Sequence, residues 1–111
     1  MNNTNQLAQE VTRLHAEICS ALADPSRILL LYALAEKTYT VNELANDLNL
    51  SQPTTSRHLK VLREHHLVNA VRQGASVEYS LSDHRLIDAL DLLRTILRDN
   101  ITRQASLVME N

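Results

Sequence analysis

The chain has 111 residues, 44% of them apolar and 22% charged, with a net charge of −2. That is the length of one domain with a small core, in the proportions of an ordinary folded chain; a uniformly basic nucleic-acid coat is excluded. Phe and Trp are absent, so the core must be built from Leu, Ile, Val and Ala.

No apolar run approaches membrane-spanning length, and the polar opening Met1-Asn2-Asn3-Thr4 lacks the pattern of a signal peptide. The expected location is the cytoplasm. The lone cysteine, Cys19, rules out an internal disulfide and a CxxC metal pair.

Taken in order, Leu7, Val11, Leu14, Ile18 and Leu22 recur every three or four residues, predicting an amphipathic helix over 6–22. Asp24 caps a second helix with Pro25 at its first position. There Ile28 to Leu31 are apolar all round, which predicts burial from several sides. Lys37 to Tyr39 form a short link. Thr40 and Glu43 then make a capping box, and Val41, Leu44, Ala45 and Leu48 give the third helix an apolar face.

The pattern breaks at Asn49-Leu50, and Ser51 caps a fourth helix with Pro53 in its first turn. Leu59 and Leu62, with Val61 at the edge, form its buried stripe. Gln52, Thr54, Thr55, Ser56, Arg57, His58 and Lys60 are left to point outward. Amides and hydroxyls ahead of two cations suit base edges and phosphates in a major groove. The pair reads as a helix-turn-helix, although a polar helix face is often only a solvated one.

Leu67 to Val71 read as a strand, and Val77, Tyr79 and Leu81 alternate with Ser76, Glu78 and Ser80 as a second. Gly74, the only glycine, is expected to supply a positive φ in the hairpin turn. Beside Arg72 and Gln73 it would make a basic tip able to approach a DNA backbone, so the hairpin reads as a wing. Ser82 or Asp83 caps a last helix from about His84 to Leu107. Its stripe is Leu86, Leu90, Leu93, Leu97 and Ile101, widened by Ile87 and Ile96. At about 1.5 Å per residue it is roughly 36 Å long, more than so small a domain can cover. The first and last helices are therefore expected to form an isologous homodimer interface. The alternative is that the last helix folds over its own core and frays beyond Asp99.

The fold class is thus mainly α, a winged helix of about five helices with a two-stranded hairpin. Residues 1–111 form a single domain with loose ends at 1–5 and 106–111. Charge supports the assignment. Residues 51–76 carry Arg57, Lys60, Arg63 and Arg72 against Glu64 alone, a net +3, whereas the flanking stretches 1–50 and 77–111 are net −3 and −2.

Three stretches resemble the ArsR/SmtB family of bacterial winged-helix repressors: ALADPSRILLL at 21–31, ELANDLNLSQPTTSRHLKVLREHHLV at 43–68 and RQGASVEYSLSD at 72–83. The resemblance covers about residues 16–100. It implies a homodimer that binds an inverted-repeat operator in double-stranded DNA and leaves it when an inducer binds. It would place Ser51, Gln52, Thr55, Ser56, Arg57 and His58 in the major groove, Lys60 on phosphate, and Arg72, Gln73 and Gly74 at the wing tip.

The sensing sites of such proteins are not matched. Residues 39–46 lack the thiolates of one metal site. Asp83, Arg85, Ile96 and Asp99 stand where another takes an Asp, a His and two further ligands, so a cation and an isoleucine replace imidazoles. No metal and no cofactor are therefore expected. The thiol-sensing members use two cysteines, and this chain has only Cys19. That residue is either a small apolar packer near the dimer interface or a thiol sensor, through a bridge to its partner copy or an adduct; a small-molecule inducer, a redox change and constitutive repression without an inducer all stay open. A metal site from His15, His84 and an acid of the second copy is the remaining metal arrangement. His65 and His66 are expected to end the fourth helix, where an imidazolium suits the negative dipole end.

No nucleophile elbow, phosphate-cradling glycine loop or HExxH motif is present, so the chain is not read as an enzyme. The rival to a DNA-binding repressor is a winged helix that binds another protein without reading DNA.

Overall fold

Short polar side chains set where the helices of this computed structural model begin. It describes residues 3–110, with elements α1 (Asn3–Leu14), a π-helical turn (His15–Cys19), α2 (Pro25–Glu36), α3 (Val41–Leu48), α4 (Gln52–Glu64), β1 (Val68–Gln73), β2 (Ser76–Leu81) and α5 (Arg85–Glu110). The Asp24 carboxylate accepts the Ser26 N–H at 2.8 Å. Thr40 and Glu43 close the capping box, at 3.3 Å and 2.9 Å. Ser51 Oγ accepts the Thr54 N–H at 3.2 Å. Each cap is worth about 1 kcal/mol. Asn49, left-handed at φ 54°, ends α3.

The core lies where α2, α3, α4 and the hairpin meet. Leu30, Leu31, Leu44, Leu59, Leu62 and Val68 are fully buried there, joined by Leu34, Tyr39, Leu67, Leu81 and Leu90. Burying a leucine of this kind contributes about 1.5–3 kcal/mol. The expectation of all-round burial at Ile28 to Leu31 fails at Leu29, which is 54% exposed; α2 buries one face and leaves another open.

The hairpin is antiparallel from Val68↔Leu81 to Gln73↔Ser76. Gly74 sits in its turn at φ 62°, and a Cβ there would meet nothing within 4 Å. The requirement for glycine is therefore one of backbone angle alone. β1 runs two residues further than expected, so Arg72 and Gln73 are strand residues beside the turn. The link before α3 is also more than a link: Tyr39 and Tyr79 exchange backbone hydrogen bonds at 3.1 Å and 2.7 Å, an isolated bridge that adds a short third edge to the sheet.

The first helix departs from its sequence pattern. It begins at Asn3, and after Leu14 widens into a π turn closed by Ser20 N–H to His15 C=O at 2.9 Å. An extra residue in a turn rotates the side chains beyond it by about 100°. Ile18, Ala21 and Leu22 thereby reach the core, while Leu7, Val11 and Leu14 stay exposed and α1 buries nothing. The turn also leaves the Glu17 carbonyl free to meet His65 Nδ1 at 2.8 Å, so that nitrogen carries the proton. This contact ties the end of α4 to the first helix. His66 comes next, in the left-handed region at φ 63°, and its carbonyl accepts from Ser82 Oγ at 2.8 Å.

The single stripe of α5 divides in the same manner. Leu86, Ile87 and Leu90 pack on the core, but Leu93, Ile96, Leu97, Ile101 and Leu107 are exposed. The 26-residue helix is about 39 Å long at 1.5 Å per residue. Projecting helices give a radius of gyration of 17.6 Å, against about 13 Å for a compact chain of this length. Of the ends expected to be loose, 3–5 and 106–110 are helical, and 1, 2 and 111 lie outside the described residues.

Candidate nucleic-acid interface

Helix α4 offers an arc of exposed polar side chains because its other side is fixed by Leu59, Leu62 and Thr55 in the core. Gln52, Ser56 and Lys60 succeed one another at intervals of four and lie along one exposed stripe, with Arg57 and Arg63 beside it. Arg63 was not among the outward-facing residues taken from the sequence; a step of three from Lys60, the other helical interval, would have found it.

Two expected members of that arc belong elsewhere. Thr55 is fully buried, and its hydroxyl donates to the Ser51 carbonyl four residues back at 2.9 Å, which satisfies it inside the core. His58 is turned toward the start of α2, where Nε2 lies 4.0 Å from Asp24 Oδ1 and only 16% of the side chain is exposed. Asp24 thus faces its own helix N-terminus, Arg27 at 3.9 Å and His58 together. Arg27 in turn donates through Nε to the Ala21 carbonyl at 2.6 Å, locking the first helix to α2.

Ser51 and Thr54 are occupied with local structure. The Ser51 hydroxyl donates to Thr54 Oγ1 at 2.8 Å, which also accepts from Arg57 at 3.2 Å. Gln52, Ser56, Arg57 and Lys60 are the exposed remainder of the expected set on α4, and on the hairpin Arg72, Gln73 and Gly74 are all exposed.

Ion pairing separates this surface from much of the molecule. Arg13 pairs with Glu17 at 3.3 Å, Arg27 with Asp24, Arg85 with Asp83 at 2.7 Å and Arg94 with Asp91 at 3.3 Å. Among the described residues, Arg57, Lys60, Arg63 and Arg72 have no carboxylate partner. Four unpaired cations on adjoining elements raise the local potential and attract polyanions.

The positions considered for sensing are occupied differently. Arg85 holds the Asp83 carboxylate from side chain and backbone and lowers its pKa from 3.8 to about 2. Among the described residues no three His, Cys, Asp or Glu side chains gather as a metal site. Cys19 is exposed on the π turn, where packing was one of its two expected roles. No described helix is long and apolar enough to cross a membrane.

Residues 24–70 match the sequence model of a family described as bacterial regulatory protein, arsR family. A transcriptional repressor SmtB homolog from Synechocystis is 42% identical over 73 residues, 66% of this chain and 55% of that protein. The nodulation protein NolR of Rhizobium meliloti is 34% identical over 91 residues, covering 82% and 75%. The crystal structure of NolR from Sinorhizobium fredii superposes with a TM-score of 0.71 at 35% identity, covering 80% of this chain and 89% of that one. The chain spans little more than half the length of its SmtB-type relatives.

Proposed function

The chain belongs to the arsR family of bacterial regulatory proteins, and from that premise we propose that it is a homodimeric transcriptional repressor. It reads an inverted repeat in double-stranded DNA and leaves it when an inducer binds. The observation that carries DNA binding is the gathering of four cations without a carboxylate among the described residues, Arg57, Lys60, Arg63 and Arg72, on α4 and the adjoining hairpin; Lys37, Arg98 and Arg103, also without one, belong to other parts of the chain. Phosphates supply the missing anions, and their condensed counterions are released on binding. Gln52 and Ser56, on the same stripe as Lys60, are suited to base edges.

Dimerisation is supported by the apolar side chains that α1 and the outer half of α5 leave uncovered, which recur at helical spacing rather than as scattered single residues. A two-fold axis through these helices sets two α4 helices against successive major grooves, with half-sites about one helical turn apart.

Selection of bound duplexes from a random pool, in chelator and reductant, tests the reading. A recovered palindrome is expected. Failure to enrich any sequence, with partner binding that survives charge reversal at Arg57 and Arg72, would favour the protein-interaction module instead. A second reading, release through a thiol, is favoured by the exposure of Cys19. It predicts that alkylating Cys19 weakens operator binding in the wild type and has no effect on Cys19→Ser.

A further inference from the structure

Between the start of α3, the start of α4 and the tip of the hairpin lies a groove of about 280 Å³, bordered by Thr40, Asn42, Gln52, Ser76 and Tyr79. The two backbone bonds between Tyr39 and Tyr79 fasten the approach to α3 against β2. The α3 and β2 walls of the groove cannot separate without breaking them, so that part of its shape is set before anything enters, which lowers the cost of filling it.

The chemistry of the lining is narrow. It contains no ionised side chain. Among the described residues the amides of Asn42 and Gln52 have no hydrogen-bond partner. The Ser76 hydroxyl donates only across its own turn, to the Gln73 carbonyl at 3.2 Å, a bond that rotation of the side chain releases. The nearby Glu43 carboxylate is held by the Thr40 backbone N–H at 2.9 Å and does not line the groove. Neutral donors converge here, flanked on one side by the first residue of the exposed α4 stripe and on the other by the wing.

We propose that this groove seats the DNA backbone beside the major groove entered by α4, with Asn42 and Ser76 donating to a phosphate next to Gln52. The inference rests on the DNA-binding reading above. In a helix-turn-helix complex the first helix crosses the backbone while the second enters the groove, which sets the start of α3 against the sugar-phosphate chain. Asn, Gln and Ser side chains are common phosphate donors that fix register without reading sequence. The groove therefore holds the helix-turn-helix and wing in register on the duplex, and the cations supply the long-range attraction.

The test compares the full-length wild type with Asn42→Ala plus Ser76→Ala on a recovered duplex and on unrelated DNA, across a salt series. The double variant is expected to bind both DNAs about 10-fold more weakly, with an unchanged slope of log affinity against log salt, because neither side chain releases a counterion. Circular dichroism should show the same melting temperature for both proteins. Among the positions where a methylphosphonate weakens wild-type binding, one per half-site should lose its effect in the variant, while those facing the cations keep theirs. Affinity within twofold of wild type, or a shallower salt slope in the variant, would overturn the groove assignment while leaving DNA binding intact. Wild-type protein that retains no duplex at all would overturn the DNA-binding reading itself, and the groove with it.

Discussion

The helix-turn-helix and wing, residues 25–81, and the pair of outer helices use the same material to different ends. In the first region leucines at helical spacing are sealed by the chain itself: Leu30, Leu44, Leu59 and Leu62 are fully buried, and Arg57, Lys60, Arg63 and Arg72 are exposed without a carboxylate partner among the described residues. In the second region Leu7, Val11, Leu93, Leu97 and Ile101 recur just as regularly and are each more than half exposed. One region covers its apolar side chains within a single chain, and the other leaves them uncovered. Periodicity establishes that a face is apolar; what covers that face is a property of the assembly.

The comparison can be broken most severely at the outer helices. Leu97→Glu plus Ile101→Glu is expected to give a monomer in sedimentation velocity. Operator affinity should fall by about 10²- to 10⁴-fold, since the two half-sites are then bound independently. An unchanged dimer would show that α1 and α5 are covered in some other way. Next in size is Leu59→Ala, which removes a fully buried side chain and should cost about 2–5 kcal/mol in chemical denaturation. That loss is independent of protein concentration, whereas the loss from Leu97→Ala should grow as concentration rises through the range in which the dimer forms.

A smaller effect belongs to the unpaired cations. Arg57→Ala plus Lys60→Ala should leave the melting temperature near that of wild type and make the salt dependence of DNA binding shallower by about four in the log–log slope, since each protomer of the dimer loses two cations. An unchanged slope would remove both residues from the phosphate contacts. The smallest concerns the start of α5. Because Arg85 holds the Asp83 carboxylate at a pKa of about 2, below its ordinary 3.8, that pair stabilises the folded state above about pH 4. Its contribution disappears as pH falls toward 2. Wild type and Asp83→Asn should therefore differ slightly in melting temperature at pH 5 and converge by pH 2.

What the sequence made legible was local. The caps at Asp24, Thr40 with Glu43, and Ser51 each involve atoms within three residues of one another, and Gly74 marks its own turn. The features it concealed depend on distant partners or on a change of helical phase. Leu14 and Ile18 are four residues apart, as in an unbroken α-helix, and nothing in that spacing announces the π turn between them. The Tyr39–Tyr79 bridge joins residues far apart in the chain, so Lys37 to Tyr39 looked like a plain connection. At the site, Thr55 and His58 were misplaced because a polar residue reads as outward-facing unless its internal partner is known, here the Ser51 carbonyl and Asp24. The exposure of Gln52, Ser56, Arg57 and Lys60 was legible because the residues that bury the opposite face are close by in the chain.

The π turn at His15–Cys19 has a consequence for how such proteins diversify. A widened turn amounts to one residue inserted into an ordinary helix, so deleting a single codon there would restore regular winding. The apolar edge of α1 would swing by about 100° relative to the domain that carries α4. In the proposed dimer, the angle between the two α4 helices, and hence the spacing of the half-sites they accept together, would in this way be set by the presence of one residue far from any base.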